Sequence, residues 1–157
     1  MRKITLNIGD IVVCREPAVL ETVLGSCVSV CLYDESLKAG GMNHFMVPYV
    51  MSGLKNPAYS GQESIKRLVE DFVSIGANSS YIKAKVFGGG KVTKGMGEDL
   101  DVGAENVKTA KEMLKKYGIP IVKELSCPEF AIKIVFYTAT GRVFVKKLED
   151  AKDDISQ

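Results

Sequence analysis

Tryptophan is absent from the 157 residues and histidine occurs once, so any imidazole chemistry in this chain has a single address, His44. No apolar run is long enough to cross a bilayer. Met1-Arg2-Lys3 begins like a charged leader, but Asn7 and Asp10 interrupt the apolar stretch that a signal peptide or membrane span requires. A cytoplasmic location is therefore expected. Clustered basic charge is also missing: 21 Lys and Arg against 19 Asp and Glu leave a net charge of +2, whereas phosphate-backbone binding needs basic side chains gathered on one surface. Lys83, Lys85, Lys146 and Lys147 read as solvated strand residues, and nucleic acid is not expected as a partner. Cysteine is sparse. Cys14, Cys27, Cys31 and Cys127, in a reducing compartment, are expected as free thiols. Cys27 and Cys31 would stand about 13 Å apart along a strand, too far for one tetrahedral zinc, so neither metal nor cofactor is expected.

What remains is ordinary globular composition, 46% hydrophobic and 25% charged, enough for one domain over residues 1–157 with a flexible tail at 152–157. No internal repeat is visible. Strand alternation is expected over 4–8, 11–14 and 19–24, then over 28–33 and 38–47, so the first third is mostly sheet. Residues 48–62, broken by Pro48, Gly53, Pro57 and Gly61, read as a long loop beside His44. Ser60-Gly61-Gln62-Glu63 matches a capping box, and Ile65, Leu68, Val69, Phe72 and Val73 continue as an amphipathic helix to Gly76. Strand 81–87 ends in Gly88-Gly89-Gly90-Lys91. A phosphate loop would want glycine at position 85 and Ser or Thr at 92, where this chain has Lys85 and Val92, so the triple glycine reads as a place of close backbone approach, to a neighbouring strand or to a substrate near the site. A second loop is expected over 91–102. A second helix over 103–117 and strands over 121–125, 131–138 and 142–148 complete an α+β chain.

Two reactive groups fall close together in this scheme. Gly25 and Ser26 give the chain freedom to present Cys27 at a tight turn, and a hairpin with a four-residue loop at 34–37 would pair Tyr33 with Lys38 and bring Cys27 opposite His44. A slip of one residue would send the two side chains to opposite faces. The bland alternative is a small buried Cys27 and a satisfied strand histidine, and for an arbitrary pair it is the commoner case.

Four ordered segments carry a resemblance: Thr22-Val23-Leu24-Gly25-Ser26-Cys27-Val28-Ser29-Val30-Cys31-Leu32-Tyr33-Asp34, Gly40-Gly41-Met42-Asn43-His44-Phe45-Met46-Val47-Pro48, Lys85-Val86-Phe87-Gly88-Gly89-Gly90 and Val102-Gly103-Ala104-Glu105-Asn106-Val107. Together they resemble the signature segments of the CheD family of chemoreceptor glutamine deamidases, from about residue 6 to residue 148. The resemblance implies a central β-sandwich of mixed sheets with flanking helices, similar to the catalytic domain of cytotoxic necrotizing factor. It also implies a chemotaxis enzyme that converts glutamines on chemoreceptor helices to glutamate, with the phosphatase CheC as a protein partner. One segment departs from the pattern, Leu125-Ser126-Cys127-Pro128-Glu129, where family members tend to carry Gly-Gly-Asn.

The chemistry implied needs a nucleophile for an amide carbon, and an unperturbed thiol offers only a few per cent thiolate at neutral pH. Cys27 is expected as the nucleophile, His44 as its base and later the acid for the departing nitrogen, and backbone N–H groups at Gly25-Ser26-Cys27 as the oxyanion donors. The resemblance adds Thr22 as a third member that accepts from the other imidazole nitrogen. Asn43 is expected to point to the opposite strand face from His44. A thiol protease or transglutaminase would use the same pair, and a non-catalytic module controlling a phosphatase would carry Cys27 as a structural residue.

Overall fold

The computed structural model describes residues 1–91 and 101–148. Most of the loop expected over 91–102, and the tail over 152–157, lie outside the described residues. Among these described residues, nine strands form two sheets. One has four strands in the order β1 (Arg2–Thr5), β3 (Ala18–Leu24), β8 (Ile132–Tyr137), β9 (Arg142–Lys147). The other has five, β2 (Ile11–Cys14), β5 (Ala39–Asn43), β4 (Val28–Asp34), β6 (Ile82–Gly88), β7 (Ile121–Ser126). Both mix parallel and antiparallel pairs, β1 with β3 and β6 with β7 being the parallel ones. The α+β class expected from the sequence is the one observed.

The layers follow from side-chain alternation. On β4, Val28, Val30 and Leu32 face helices α1 (Gly61–Ser74) and α2 (Val102–Lys116), where they meet Leu68, Phe72, Ala110 and Leu114. Cys31 and Tyr33 face the opposite way and pack with Leu20, Leu24, Ile134 and Phe136 of the four-stranded sheet. The five-stranded sheet is thus covered on both sides, and every residue of β4 is buried. Gly40 leaves the space that the Phe136 ring fills. Each fully buried ring or branched chain in these two cores contributes on the order of 1.5–3 kcal/mol relative to exposure.

Helix α1 begins where the sequence signals it. Ser60 is the N-cap, its hydroxyl accepting from the Glu63 N–H at 3.2 Å, and Ile65, Leu68, Val69 and Phe72 form the buried stripe. Within the expected loop over 48–62 lies a 3-10 turn at Pro57–Tyr59, and the helix is already under way at Gly61.

The hairpin between β4 and β5 corrects the expected register by two residues. Asp34 pairs with Ala39 and Tyr33 with Gly40, so the loop is 35–38 rather than 34–37. Asp34 ends the strand instead of opening the loop because its carboxylate organises the turn that follows. Its Oδ1 accepts from the Ser36 N–H at 3.0 Å, the Ser36 hydroxyl at 2.6 Å and the Leu37 N–H at 3.2 Å. Lys38 then takes a left-handed conformation with φ of 54°. A shift of two preserves the face of every side chain.

Candidate functional site

The corrected register sets Cys27 across from Met46 and His44 across from Ser29, with the bridge Val28 to Phe45 fixing the alignment at that end. Cys27 and His44 are therefore diagonal neighbours on one face, about 7–8 Å apart at the backbone rather than directly opposed. Both look toward the four-stranded sheet: Cys27 packs on the core between the sheets, and His44 reaches Thr22 of β3. Asn43 points the other way, as expected. Its carbonyl oxygen accepts from the Val30 N–H at 2.7 Å, and its amide donates to the Ser64 hydroxyl of α1 at 3.0 Å.

His44 is only 5% exposed, and its Nδ1 lies 2.7 Å from Thr22 Oγ1. The Thr22 hydroxyl has one proton, and that proton is donated to the Leu6 carbonyl at 2.8 Å. Thr22 must then accept from His44, so Nδ1 carries the imidazole proton and Nε2 keeps a free lone pair. A backbone carbonyl of the segment joining β1 to β2 thereby selects the tautomer a general base requires. Because threonine brings no negative charge, nothing in this contact favours an imidazolium. Burial holds the His44 pKa down at about 4, against a smaller opposing effect of the Asp10 carboxylate.

Cys27 is half-buried, and desolvation pushes its thiol up to about 11. With the histidine low and the thiol high, the resting pair is neutral. On those values only about one molecule in 10⁴ carries a thiolate at pH 7. Alkylation of Cys27 by iodoacetamide, followed by peptide mass mapping, is expected to accelerate about tenfold per pH unit from pH 7 to about 10. A plateau reached below about pH 8 would mean a thiolate–imidazolium pair and would contradict this electrostatic picture.

The turn bearing Cys27 is pinned by its carbonyls. Gly25 O accepts from Gly90 N–H at 2.8 Å, Ser26 O from Asn106 Nδ2 at 3.0 Å, and Cys27 O from Gly89 N–H at 2.8 Å. The Ser26 and Cys27 N–H groups have no acceptor among the described residues. This explains the triple glycine. Gly88 has φ of 106°, and a Cβ there would run into the Cys27 carbonyl, while Gly103 of α2 lies so close that its Cβ would stand 2.8 Å from Gly90 O. Close approach was expected to a neighbouring strand or to a substrate; it is made instead to the cysteine turn and to a helix. The departing segment at 125–129 joins the same cluster, since Cys127 N–H donates to Gly88 O at 2.8 Å and Pro128 O accepts from Lys91 N–H at 3.2 Å.

An open cleft of about 530 Å³ reaches His44 and is lined by Thr5, Leu6, Asn7, Ile8, Thr22 and Val23. Its walls are the end of β1, the residues that follow it, and Thr22 and Val23 of β3. Two contributors thus escape the residue pattern: the stretch 5–8, which carries no reactive group, and Asn106. The latter had a signal, because it falls on the buried stripe of α2 with Gly103, Val107, Ala110 and Leu114, where an amide needs a partner.

Comparisons with known proteins complete the picture. The family model described as "CheD chemotactic sensory transduction" matches residues 46–147, beginning just past His44. A Rhodospirillum rubrum protein called "Probable chemoreceptor glutamine deamidase CheD" is 40% identical over 151 residues, covering 96% of this chain and 85% of its own. So wide an alignment takes in residues 22–44. Proteins with the same designation from Laribacter hongkongensis and Stenotrophomonas maltophilia are 36% identical over 146 residues and 42% over 134, covering 90% and 85% of this chain and 70% and 67% of theirs. A solved Neisseria meningitidis protein superposes with a TM-score of 0.45 at 12% identity, over 85% of this chain and 62% of that one.

Proposed function

The chain belongs to the CheD family, and from that premise we propose that it hydrolyses glutamine side-chain amides of chemoreceptors to glutamate and ammonia, with Cys27 as nucleophile. The observation that carries this reading is the Leu6–Thr22–His44 relay. It supports an Nε2 base on the same strand face as a half-buried thiol and next to an open cleft.

Each step follows from the neutral resting pair. Rotation of the Cys27 side chain closes the diagonal gap, and His44 Nε2 takes the Sγ proton as sulfur attacks the amide carbon. Apo catalytic pairs are commonly longer than in the reacting complex. The oxygen of the tetrahedral intermediate takes the Ser26 and Cys27 N–H groups, which no protein acceptor occupies among the described residues. An imidazolium of pKa about 4 is a strong acid, suited to protonating the leaving nitrogen, the hard part of breaking an amide. The C–N bond breaks and ammonia departs. Water then attacks the thioester, giving its proton to Nε2, and the C–S bond breaks to return the thiol. Thr22 keeps the ring in the required tautomer throughout.

The substrate side follows from the relatives, whose designations name chemoreceptors as what those proteins act on. CheC, implied by the resemblance, is carried here as a second ligand of the same chain. The test is mass spectrometry of a receptor fragment incubated with the wild-type chain or with Cys27→Ala. Wild type is expected to convert specific glutamines to glutamate with ammonia release, and Cys27→Ala to show no conversion above background while still binding CheC. Backbone cleavage or amine transfer would favour the protease or transglutaminase alternative. A partner effect intact in both proteins with no conversion in either would favour the non-catalytic module.

A further inference from the structure

Asn106 is wholly buried on α2 and spends both amide hydrogens on the segments that flank β4 and β5 at the site, donating to Ser26 O and to Met46 O at 3.0 Å each. Ser26 precedes the nucleophile, and Met46 is the residue across from it in the register. The amide cannot be reversed, because its oxygen would then face two carbonyls. That oxygen is itself buried without a partner, a cost that an apolar side chain at this position would not carry.

A planar trans peptide explains what that cost obtains. The Ser26 carbonyl and the Cys27 N–H belong to one peptide group and point in opposite directions. Asn106 draws the carbonyl toward α2, on the helix side of the sheet, so the N–H is turned toward the face from which Cys27 looks to the other sheet. With Gly90 and Gly89 holding the neighbouring carbonyls, the peptide cannot flip to satisfy itself elsewhere. We infer that Asn106 is a positioning residue for the reaction: by fixing the Ser26–Cys27 peptide plane it aims the Cys27 N–H at the oxygen of the tetrahedral intermediate. This deepens the deamidase reading and rests on it.

The test separates oxyanion alignment from plain structural support. Deamidation of a receptor fragment passes through an oxyanion, whereas alkylation of Cys27 by iodoacetamide is a displacement that does not. Asn106→Ala is expected to lower kcat by about 100-fold, within the range for loss of one oxyanion donor, with KM and the alkylation rate each changed less than about threefold. Retained kcat, a change confined to KM, or parallel losses in kcat and alkylation would overturn the inference. Should Asn106→Ala not fold, the wild-type chain answers instead. A peptide aldehyde analogue of glutamine adds to Cys27 as a hemithioacetal, and in cysteine-labelled protein the Cys27 amide proton is expected to move downfield as it takes up the new oxygen. An unmoved Cys27 amide would overturn the proposal. No deamidation by the wild type, by contrast, refutes the parent reading, a result distinct from an active wild type beside an equally active Asn106→Ala.

Discussion

Replacing His44 by glutamine is expected to lower kcat for deamidation by about 10⁴-fold, since in the proposed mechanism one imidazole serves both as base for the thiol and as acid for the nitrogen. The same substitution should change iodoacetamide alkylation of Cys27 at about pH 9 by less than about threefold, because there hydroxide rather than His44 removes the proton. Equal losses in the two reactions would show that the histidine only shapes the cysteine's surroundings. Within the wild type, turnover should fall as pH drops through about 4, where Nε2 becomes protonated and can no longer accept. The sign for stability is the same: the folded chain disfavours the charged ring, so between about 6.5 and about 4 the unfolded chain binds more protons and stability declines as pH falls. His44→Gln should flatten that part of a melting-temperature profile against pH.

Gly88→Ala is expected to cost about 3 kcal/mol or more, and with it the site. Two penalties coincide there. The backbone has φ of 106°, which an L side chain adopts only under strain of about 1–3 kcal/mol. The new Cβ would also collide with the Cys27 carbonyl, which has no room to retreat because it accepts from Gly89, and overpacking of this kind costs a further 1–3 kcal/mol or so. A fall in melting temperature of about 6–12 °C follows for a chain of this size. Gly118 supplies the control, since its φ is 71° but nothing lies within 4 Å of where a Cβ would stand. Gly118→Ala should cost about 1 kcal/mol and leave turnover intact. Equal effects at the two glycines in calorimetry and deamidation would mean that strain alone, not contact with the cysteine turn, governs position 88.

Elements whose cause is local could be read from the residues. Ser60 and Glu63 start α1, Gly118 and Pro120 follow α2, and the alternation of β4 survives because each of its neighbours along the chain belongs to a different core. The register of β4 with β5 could not be read, because it turns on whether Asp34 is the last residue of a strand or the first of a loop. Its contact with the distant Asn78 N–H at 3.1 Å, together with the bonds to Ser36 and Leu37, sets the answer. An error of two leaves side-chain faces unchanged, so the juxtaposition of Cys27 and His44 on one face was legible although their separation was not.

The proposed chemistry, then, was legible in the sequence itself: one histidine, one cysteine at a Gly-Ser turn, and an order of motifs that limits what the pair can be part of. Geometry was decided in three dimensions. Which nitrogen of His44 bears the proton depends on a carbonyl at Leu6, and which way the Cys27 N–H points depends on an amide at Asn106 eighty positions away from Ser26. Both are hydrogen bonds between segments far apart in the chain. Such bonds are directional and short-ranged, so they exist only once packing has brought the partners within about 3 Å, and no pattern of neighbouring residues encodes that distance.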